Sequence, residues 1–421
     1  MAFKSVVSAV CSKIQNLLSS SEFIENHKMR SQDFTRDRKL SFFDTAMLVF
    51  NKTGKNVRAD IRNLLCNHNR NIDSYSVQAF SKGRKRINPN AFKEIMRTSA
   101  DVFYTESKVQ KFKGYRVSAI DGSKVSLPYN KESAEEFGIQ KSSGNQIQSL
   151  SSALYDVINE IVIDAQLGPY DASERIFARE HIEYLSSIEN DKELIIFDRG
   201  YPSFELVDVI EKNNFKYLMR CNTTFIAGFK DIASSDDCVI EYKFKKAKTP
   251  TKFRFIKLIL ETGTEEYLIT NILDKSFSVS DFKHLYHLRW EIETNYDVVK
   301  NKLEIENFSG VTPNSINQDF FATMVLKNIA SMMAFDCRKD INLHHNSGNN
   351  KYTYKANMSC VVSLIKTDLM MLFYASSKRK FNQLLSSIYT HITGNVVPVR
   401  TGRSYERKVS HPSTKFSQNQ R

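Results

Sequence analysis

Charged and aromatic side chains are concentrated in one stretch, YHLRWEIETNYDVVKNK, at residues 286–302. The stretch contains neither Gly nor Pro, and its apolar residues recur at helical spacing, so we predict a single helix. Glu293 would lie one turn from Arg289 and two turns from Lys300, between two cations. A surface ladder of ion pairs is the plain alternative. However, the polar and charged residues fall on one arc of the helix, and the arrangement of this polar arc is too regular for random solvation. Its members are Tyr286, Arg289, Trp290, Glu293, Asp297 and Lys300.

Two more carboxylates are predicted to stand where strands end. Asp121 in IDGSKVSLP follows a strand-like segment, and Asp198 in FDRGYPS follows the continuous apolar run LIIF. Such a run is typical of a strand buried on both faces, and ligands of open α/β sheets bind at the carboxyl ends of strands. An Asp that merely begins a turn is the common alternative. The charged helix favours a shared site for all three acids.

The elements that must position these residues form a mixed α/β pattern. Residues 112–221 predict a strand, a two-stranded hairpin, a helix, a strand, a helix and a strand. Three alternating segments then predict an inserted antiparallel sheet: CVIEYKFKK, KFRFIKLIL and EEYLITNIL. Residues 1–105 are predicted to be helical, and two apolar helices follow the charged one. The chain should end in a polar, basic tail.

The net charge of +13 indicates a polyanionic partner, most often nucleic acid. The excess is uneven, because residues 51–100 carry a net +8 and residues 396–421 a net +5. Within the first region, SVQAFSKGRKRINPNAFKEIMRTSADVFY predicts two helices around a basic turn, as in a helix-turn-helix. A solvated basic helical pair is the alternative. The candidate DNA contacts are Lys82, Arg84, Lys85 and Arg86.

Several classes of protein are disfavoured by composition. The six cysteines form no CxxC pair, which argues against a zinc knuckle or a disulfide framework and fits buried thiols in a reduced compartment. No uninterrupted apolar run approaches the ~18 residues of a membrane span, and the N-terminus shows no convincing signal peptide. There is neither an HExxH nor a GxSxG motif, so a metalloprotease or serine hydrolase is not expected.

The spacing of four residues resembles a known signature. Tyr286, Arg289, Glu293 and Lys300 are separated by two, three and six residues, as in the Tyr-Arg-Glu-Lys signature of the DDE transposases of the insertion-sequence-four family. IDGSKVSLP and FDRGYPS look like the two other blocks of that family. The similarity extends to ENFSG after the helix and to VPVRTGRSYERK in the tail, so it covers most of the chain.

This resemblance implies a fold and a division of the chain. We expect a ribonuclease-H-like mixed-sheet catalytic core with a β-rich insertion, an α-helical N-terminal DNA-binding region and C-terminal helices. The expected boundaries are 1–108 for the DNA-binding region, 109–221 and 278–335 for the core, 222–277 for the insertion, and 336–421 for the C-terminal helices and basic tail.

The resemblance also implies a chemistry. Asp121, Asp198 and Glu293 would be the catalytic, metal-binding triad, holding two Mg²⁺ ions for which Mn²⁺ substitutes. Carboxylate oxygens suit Mg²⁺, and two ions about 4 Å apart can activate a nucleophile and stabilise the leaving oxygen. The expected activity is binding of the terminal inverted repeats, then DNA cleavage and strand transfer. The expected partners are double-stranded transposon-end and target DNA, with a homodimer in the complex, in the bacterial cytoplasm at the nucleoid.

Further DNA contacts follow from the same resemblance. Tyr286, Arg289 and Lys300 would grip the transposon end near the cut. Trp290 could stack on an unpaired base, but packing between the helix and the insertion is the favoured alternative. Arg199 and Tyr201 could contact DNA or pack the turn after Asp198. Two other functions stay open: a non-catalytic or domesticated DNA-binding protein, and a nuclease with the same core.

Overall fold

The computed structural model places the chain in two compact units. It describes residues 5–36, 40–51, 56–67, 75–141, 145–188, 192–223, 225–226, 235–244, 249–259, 263–347 and 351–400. One unit, the helical unit, comprises Met1–Lys108, Leu127–Glu135 and Val298–Arg421. The other, the sheet unit, comprises Val109–Ser126 and Glu136–Asp297.

The sheet unit is built on a mixed sheet that has nine strands among the described residues. Eight of them follow the order β2-β3-β1-β5-β6-β9-β8-β7, and the ninth, β4, pairs with β3. β3 lies antiparallel to both β1 and β4, whereas β1, β5 and β6 run parallel. The strands are β1 Arg116–Ser126, β2 Ile139–Gln140, β3 Gln146–Asp156, β4 Ile161–Pro169, β5 Glu193–Phe197, β6 Lys216–Cys221, β7 Asp237–Tyr242, β8 Thr251–Ile259 and β9 Glu265–Thr270.

The strand and helix order predicted for residues 112–221 is confirmed, as are the three strands that follow. The predicted inserted strands are antiparallel to one another, and they extend the same sheet because β9 pairs with β6. Sequence patterns missed the short strand β2. The helices of this unit are α8 Glu174–Ser187, α9 Phe204–Lys212, α10 Val279–Leu288 and α11 Trp290–Asp297.

A buried polar network fixes α8 on the sheet. The His181 Nδ1 atom lies 2.7 Å from Asp164 Oδ2 on β4, and His181 Nε2 lies 3.1 Å from Ser152 Oγ on β3. All three side chains are completely buried. The arrangement has the residue types of a hydrolytic triad, but without access for a substrate it holds the helix in place.

The helical unit surrounds one long helix, Pro313–His345, whose first three-fifths is buried on nearly every side. Its Phe335 ring contacts Phe103, and its Asn328 amide donates to Ser99 Oγ at 3.3 Å. The helices are α1 Val6–Ser19, α2 Ser21–His27, α3 Phe42–Phe50, α4 Val57–Asn67, α5 Val77–Arg84, α6 Asn90–Glu106, α12 Pro313–His345, α13 Met358–Phe373 and α14 Lys378–Gly394. A seventh helix in chain order, α7 Lys131–Phe137, was not predicted.

The helix α12 is also long and apolar enough to cross a membrane, the one such helix among the described ranges. Its best 18-residue window has a mean hydropathy of 1.2 and is 83% buried inside the structure. The core helix of a folded unit meets the same criterion, and this burial fits that role.

The basic helical pair predicted around residue 83 is confirmed as α5 and α6. Gly83 is buried where they meet α3, because an added Cβ would lie 3.2 Å from Thr45 Oγ1. In the predicted tail, Val396–Val399 instead forms strand β11, which pairs with β10, Thr353–Ala356. The remainder of that tail, from residue 401, lies outside the described residues.

Two local predictions are wrong. β1 does not end at Asp121 but continues to Ser126, because β3 pairs with it along its whole second half. The stretch 286–302 is not one uninterrupted α-helix: α10 ends before Arg289, α11 begins at Trp290, and residues Val298–Lys302 form a π-helical turn. Lys300 therefore does not lie on the same regular helical face as Glu293.

Candidate active site

Asp121, within β1, and Asp198, directly after β5, lie on neighbouring parallel strands. The pairing of β1 with β5 runs to Ala119 opposite Ile196. Asp121 lies two residues beyond the first of these and Asp198 two beyond the second, so the two acids stand at matching positions. β1 continues past this point only through its pairing with β3. The predicted meeting of the two acids is thus built into the strand register.

The Arg289 guanidinium lies among the predicted acids. Its Nη1 atom is 3.8 Å from Asp121 Oδ2, and its Nη2 atom donates to Glu293 Oε1 at 3.0 Å. Its charge also acts on Asp198, lowering the pKa of that carboxyl. The side chain is only 5% exposed. Arg289 lies at the turn between α10 and α11, where its backbone keeps helical dihedral angles, so it stays one turn from Glu293 as predicted and faces inward with it.

Asp198 is held in its ionised form. The Tyr286 hydroxyl donates to Asp198 Oδ1 at 3.0 Å, and Arg220 Nη1 lies 3.9 Å from the same atom. Burial by itself would raise the pKa of Asp198, but the Arg199 backbone N–H, Arg289, the Tyr286 hydroxyl and Arg220 together lower it below its ordinary value. Hydrogen bonds and cations that favour the charged form outweigh desolvation here.

Asp121 has the opposite electrostatic environment. Burial raises the pKa of its carboxyl to about 6, against the effects of the Gly122 backbone N–H and of Arg289, and the charges of Glu174 and Asp198 raise it further. The Gly122 N–H donates to Asp121 Oδ1 at 2.9 Å, and the Tyr296 hydroxyl donates to the Asp121 carbonyl at 2.8 Å. Acids with pKa values pushed in opposite directions are typical of sites that divide chemical roles.

Three residues of this site were missed from the sequence: Glu174, Arg220 and Tyr296. Arg220 also pairs with Glu266 at 3.1 Å. A signal for Arg220 existed, since it lies near the end of β6. This strand runs parallel to β5, which Asp198 follows. Tyr296 lies seven residues beyond Arg289 on the buried side of the helix. Nothing in the sequence marks Glu174 beyond its place in the first turn of α8.

The side chains predicted to contact DNA fall into exposed and buried sets. Lys82, Lys85 and Arg199 are exposed, and Trp290 is 47% exposed. This exposure argues against the favoured interpretation of Trp290 as a packed wedge; its ring instead lies under the Arg289 guanidinium at 5.4 Å. Lys300 is partly buried, and desolvation lowers its pKa despite the charge of Glu306.

Two predicted DNA contacts are wrong. Arg84 is 4% exposed, because its guanidinium forms an ion pair with Asp319 at 2.8 Å and donates to Gln318 and Ser309. Tyr201 is 1% exposed and packs its ring on Phe197 at 5.5 Å, as in the turn-packing alternative. Arg86 is intermediate, with Nε 3.5 Å from Asp33 Oδ1.

The donor set of the site fits a hard divalent cation, although the side chains would have to move. Asp121, Asp198 and Glu293 offer carboxylate oxygens, and they already surround one positive charge, that of Arg289. Within the described ranges, no three His, Cys, Asp or Glu side chains lie close enough to enclose a metal ion. A buried hydroxyl, that of Tyr201, is left without a hydrogen bond beside these acids. A cation bound here would take over the role of the guanidinium among the carboxylates.

Comparison with known proteins identifies the family. Residues 112–329 match the family model described as the transposase DDE domain. This is more than half of the chain, and the chain therefore belongs to the family of DDE transposases. Transposition is the activity of this family, and it requires the cutting and joining of DNA strands.

Two other comparisons add little. One similar solved structure is the cryo-EM structure of a piggyBac transposase synaptic complex with hairpin DNA, at 10% identity and a TM-score of 0.46. The match covers 94% of this chain and 87% of that chain. A similarity of this size does not establish shared detail. A search of curated proteins found no match.

Proposed function

We propose that this chain is a transposase of the insertion-sequence-four type, which binds the terminal inverted repeats of its element and catalyses Mg²⁺-dependent DNA cleavage and strand transfer. One observation carries the proposal: a single guanidinium, that of Arg289, connects Asp121 with Glu293 and acts on Asp198. These three acids come from two strands and a helix that are far apart in the chain. A ribonuclease-H-like core is supported by the meander β1, β3, β4 beside the parallel strands β5 and β6.

Asp121, Asp198 and Glu293 would hold two Mg²⁺ ions, with Mn²⁺ as a substitute. When bound, such ions supply activation of a water or 3′-hydroxyl nucleophile and stabilisation of the leaving oxygen. The protein contributes orientation. The Tyr286 hydroxyl fixes one oxygen of Asp198, and the Tyr296 hydroxyl and the Gly122 N–H fix the backbone and carboxylate of Asp121.

Arg289 would exchange partners during the reaction. Its fork now serves two carboxylates, and the same geometry suits the oxygens of a phosphate. We infer that it turns to the scissile phosphate when cations neutralise the acids. Arg220 would stay beside Asp198 and continue to favour the ionised form of that carboxylate.

DNA binding would use exposed and half-buried cations of the helical pair and of the catalytic region. Lys82, Lys85 and Arg86 suit phosphate contacts at the transposon end, as do Arg199 and Lys300 near the cut. Trp290 is accessible for stacking on an unpaired base, which is worth ~1–3 kcal/mol. A homodimer would bring the two ends together in the cytoplasm, at the bacterial nucleoid.

The test is nicking of a supercoiled plasmid that carries both inverted repeats flanking the gene, in Mg²⁺ and in EDTA. We expect Mg²⁺-dependent cleavage by the wild type and none by Asp198→Ala. Asp208→Ala is the matched control, because Asp208 lies on the following helix in an exposed pair with Lys212. Pre-cut ends then test joining.

Three outcomes would contradict parts of the proposal. Binding without cleavage in any divalent cation would favour the non-catalytic DNA-binding alternative. Cleavage without strand-transfer product from pre-cut ends would favour a nuclease. Cleavage by Asp198→Ala at the wild-type rate would remove the assigned acids. By resemblance to the family, the β-rich insertion also suggests that cleavage passes through a DNA hairpin, and a denaturing gel of the excised ends that shows no hairpin would contradict this step.

A further inference from the structure

The Glu174 side chain lies directly over the backbone of the residue that follows Asp121. An added Cβ on Gly122 would be 2.6 Å from Glu174 Oε1, 2.9 Å from its Cδ and 3.0 Å from its Cγ. Such distances exclude a side chain at position 122 unless Glu174 moves. Only Gly at position 122 therefore lets this carboxylate approach β1 next to Asp121.

The helix that carries Glu174 is tethered to the turn that follows Asp198. Arg175, the next residue on α8, donates from Nε and Nη2 to the Gly200 carbonyl at 3.1 and 2.9 Å. Glu174 thus lies against β1 beside Asp121, on a helix that is bonded to the turn after Asp198, and its charge acts on Asp121. Glu174 is not one of the four residues of the transposase signature.

A second and independent feature is the Tyr201 hydroxyl. The side chain is 1% exposed, and its hydroxyl forms no hydrogen bond within the described structure. The acids that act on it are Glu174, then Asp121, then Asp198. An unsatisfied buried hydroxyl is costly, and three carboxylates act on this one, so a ligand that draws those carboxylates toward it would complete its hydrogen bonding.

We propose that Glu174 is a fourth carboxylate of the divalent-metal centre, beside Asp121, and that the Tyr201 hydroxyl donates to the carboxylates once a cation has drawn them together. This inference rests on the proposed function. Two divalent ions carry four positive charges, and Asp121, Asp198 and Glu293 supply three negative ones. Glu174 adds a fourth, using the oxygen ligands that Mg²⁺ prefers. The plain alternative is a carboxylate that stabilises the N-terminus of α8.

Mn²⁺ binding to the full chain, without DNA, distinguishes these roles. The free Mn²⁺ signal in electron paramagnetic resonance gives the affinity and the number of ions bound. We expect Glu174→Gln to weaken binding at least about tenfold, or to lose one of two ions. Glu180→Gln, an exposed position on the same helix, should bind as the wild type does. Asp121→Asn should lose binding.

Failure of the inference and failure of the proposed function give different results. If Asp121→Asn loses Mn²⁺ while Glu174→Gln stays within about twofold of wild type, the fourth-ligand assignment is overturned and the triad stands. If the wild type binds no Mn²⁺, the metal centre itself is refuted, and the assignment of Glu174 with it. Melting temperatures measured in EDTA establish that each variant is folded.

Gly122→Ala provides a perturbation of Glu174 that leaves its chemistry intact. The new Cβ would meet the far end of a flexible side chain, so the carboxylate is displaced at little cost in stability. We expect weaker Mn²⁺ binding with a melting temperature close to wild type. The double variant Gly122→Ala with Glu174→Gln should bind no more weakly than Glu174→Gln alone, because both changes act on one group. Additive losses would overturn this coupling.

Tyr201→Phe tests the hydroxyl. It removes an atom that has no hydrogen bond in the metal-free protein, so stability in EDTA should be unchanged or higher, while Mn²⁺ binding should weaken. A lower melting temperature in EDTA, or wild-type affinity for Mn²⁺, would contradict the assigned role.

Discussion

The raised pKa of Asp121 predicts how its ionisation affects stability. Burial raises this pKa from an ordinary 3.8 to about 6, so the folded protein holds the proton more tightly than the unfolded chain does. The stabilisation from the protonated form is complete below pH 3.8 and is lost as the pH rises through about 6. The difference corresponds to roughly 3 kcal/mol at most, and partial solvent access reduces it.

The perturbation is Asp121→Asn, which cannot ionise. Metal-free protein is unfolded with denaturant at pH values from 4 to 7, and the free energy of unfolding of the variant is compared with that of the wild type. The variant should gain stability relative to the wild type as the pH rises across this range, by up to about 3 kcal/mol. Comparing the two proteins at each pH cancels the titration of groups that do not interact with Asp121.

The same ionisation predicts the pH dependence of metal binding. The carboxylate must lose its proton before it can bind a cation, so Mn²⁺ affinity should fall about tenfold between pH 7 and pH 5 and change little above pH 7. Two results would refute a raised pKa for Asp121. One is a difference in unfolding free energy between Asp121→Asn and the wild type that stays constant from pH 4 to 7, and the other is an Mn²⁺ affinity that declines only near pH 4.

Four further substitutions concern charge at defined places. Glu293→Gln should abolish both cutting and joining while end binding persists in a gel-shift assay; cutting at the normal rate would exclude Glu293 from the triad. Lys300→Ala should weaken end binding and reduce the slope of log affinity against log salt by about 1, and an unchanged slope would argue against a phosphate contact. Arg84→Met should lower the free energy of unfolding by ~3–5 kcal/mol, because Asp319 would remain buried without a counter-charge, keeping only its hydrogen bonds from Ser309. Lys82→Ala should instead weaken DNA binding without loss of stability, and the reverse outcome would contradict the structure.

Much of the local structure was determined by the sequence itself. Alternating and continuous apolar runs predicted the strands of residues 112–270, apart from β2, in their observed order, and helical spacing predicted the basic pair α5 and α6. The pattern of LIIF predicted that Asp198 would follow a buried strand, and it does. Such predictions succeed because the period of apolar residues follows directly from the geometry of a strand or a helix.

The tertiary structure alone decided which charged side chains face inward. Arg84 belongs to the same basic cluster as Lys82 and Lys85, but only Arg84 lies opposite a buried Asp, from a helix more than two hundred residues away. Likewise, Arg289 is buried beside Asp121, whereas the next residue, Trp290, is exposed. The spacing of apolar residues predicts which face of a helix or strand is buried. It does not predict which oppositely charged side chain a distant segment places against that face. Burial of a charge depends on that pairing, and so only the folded chain could establish it.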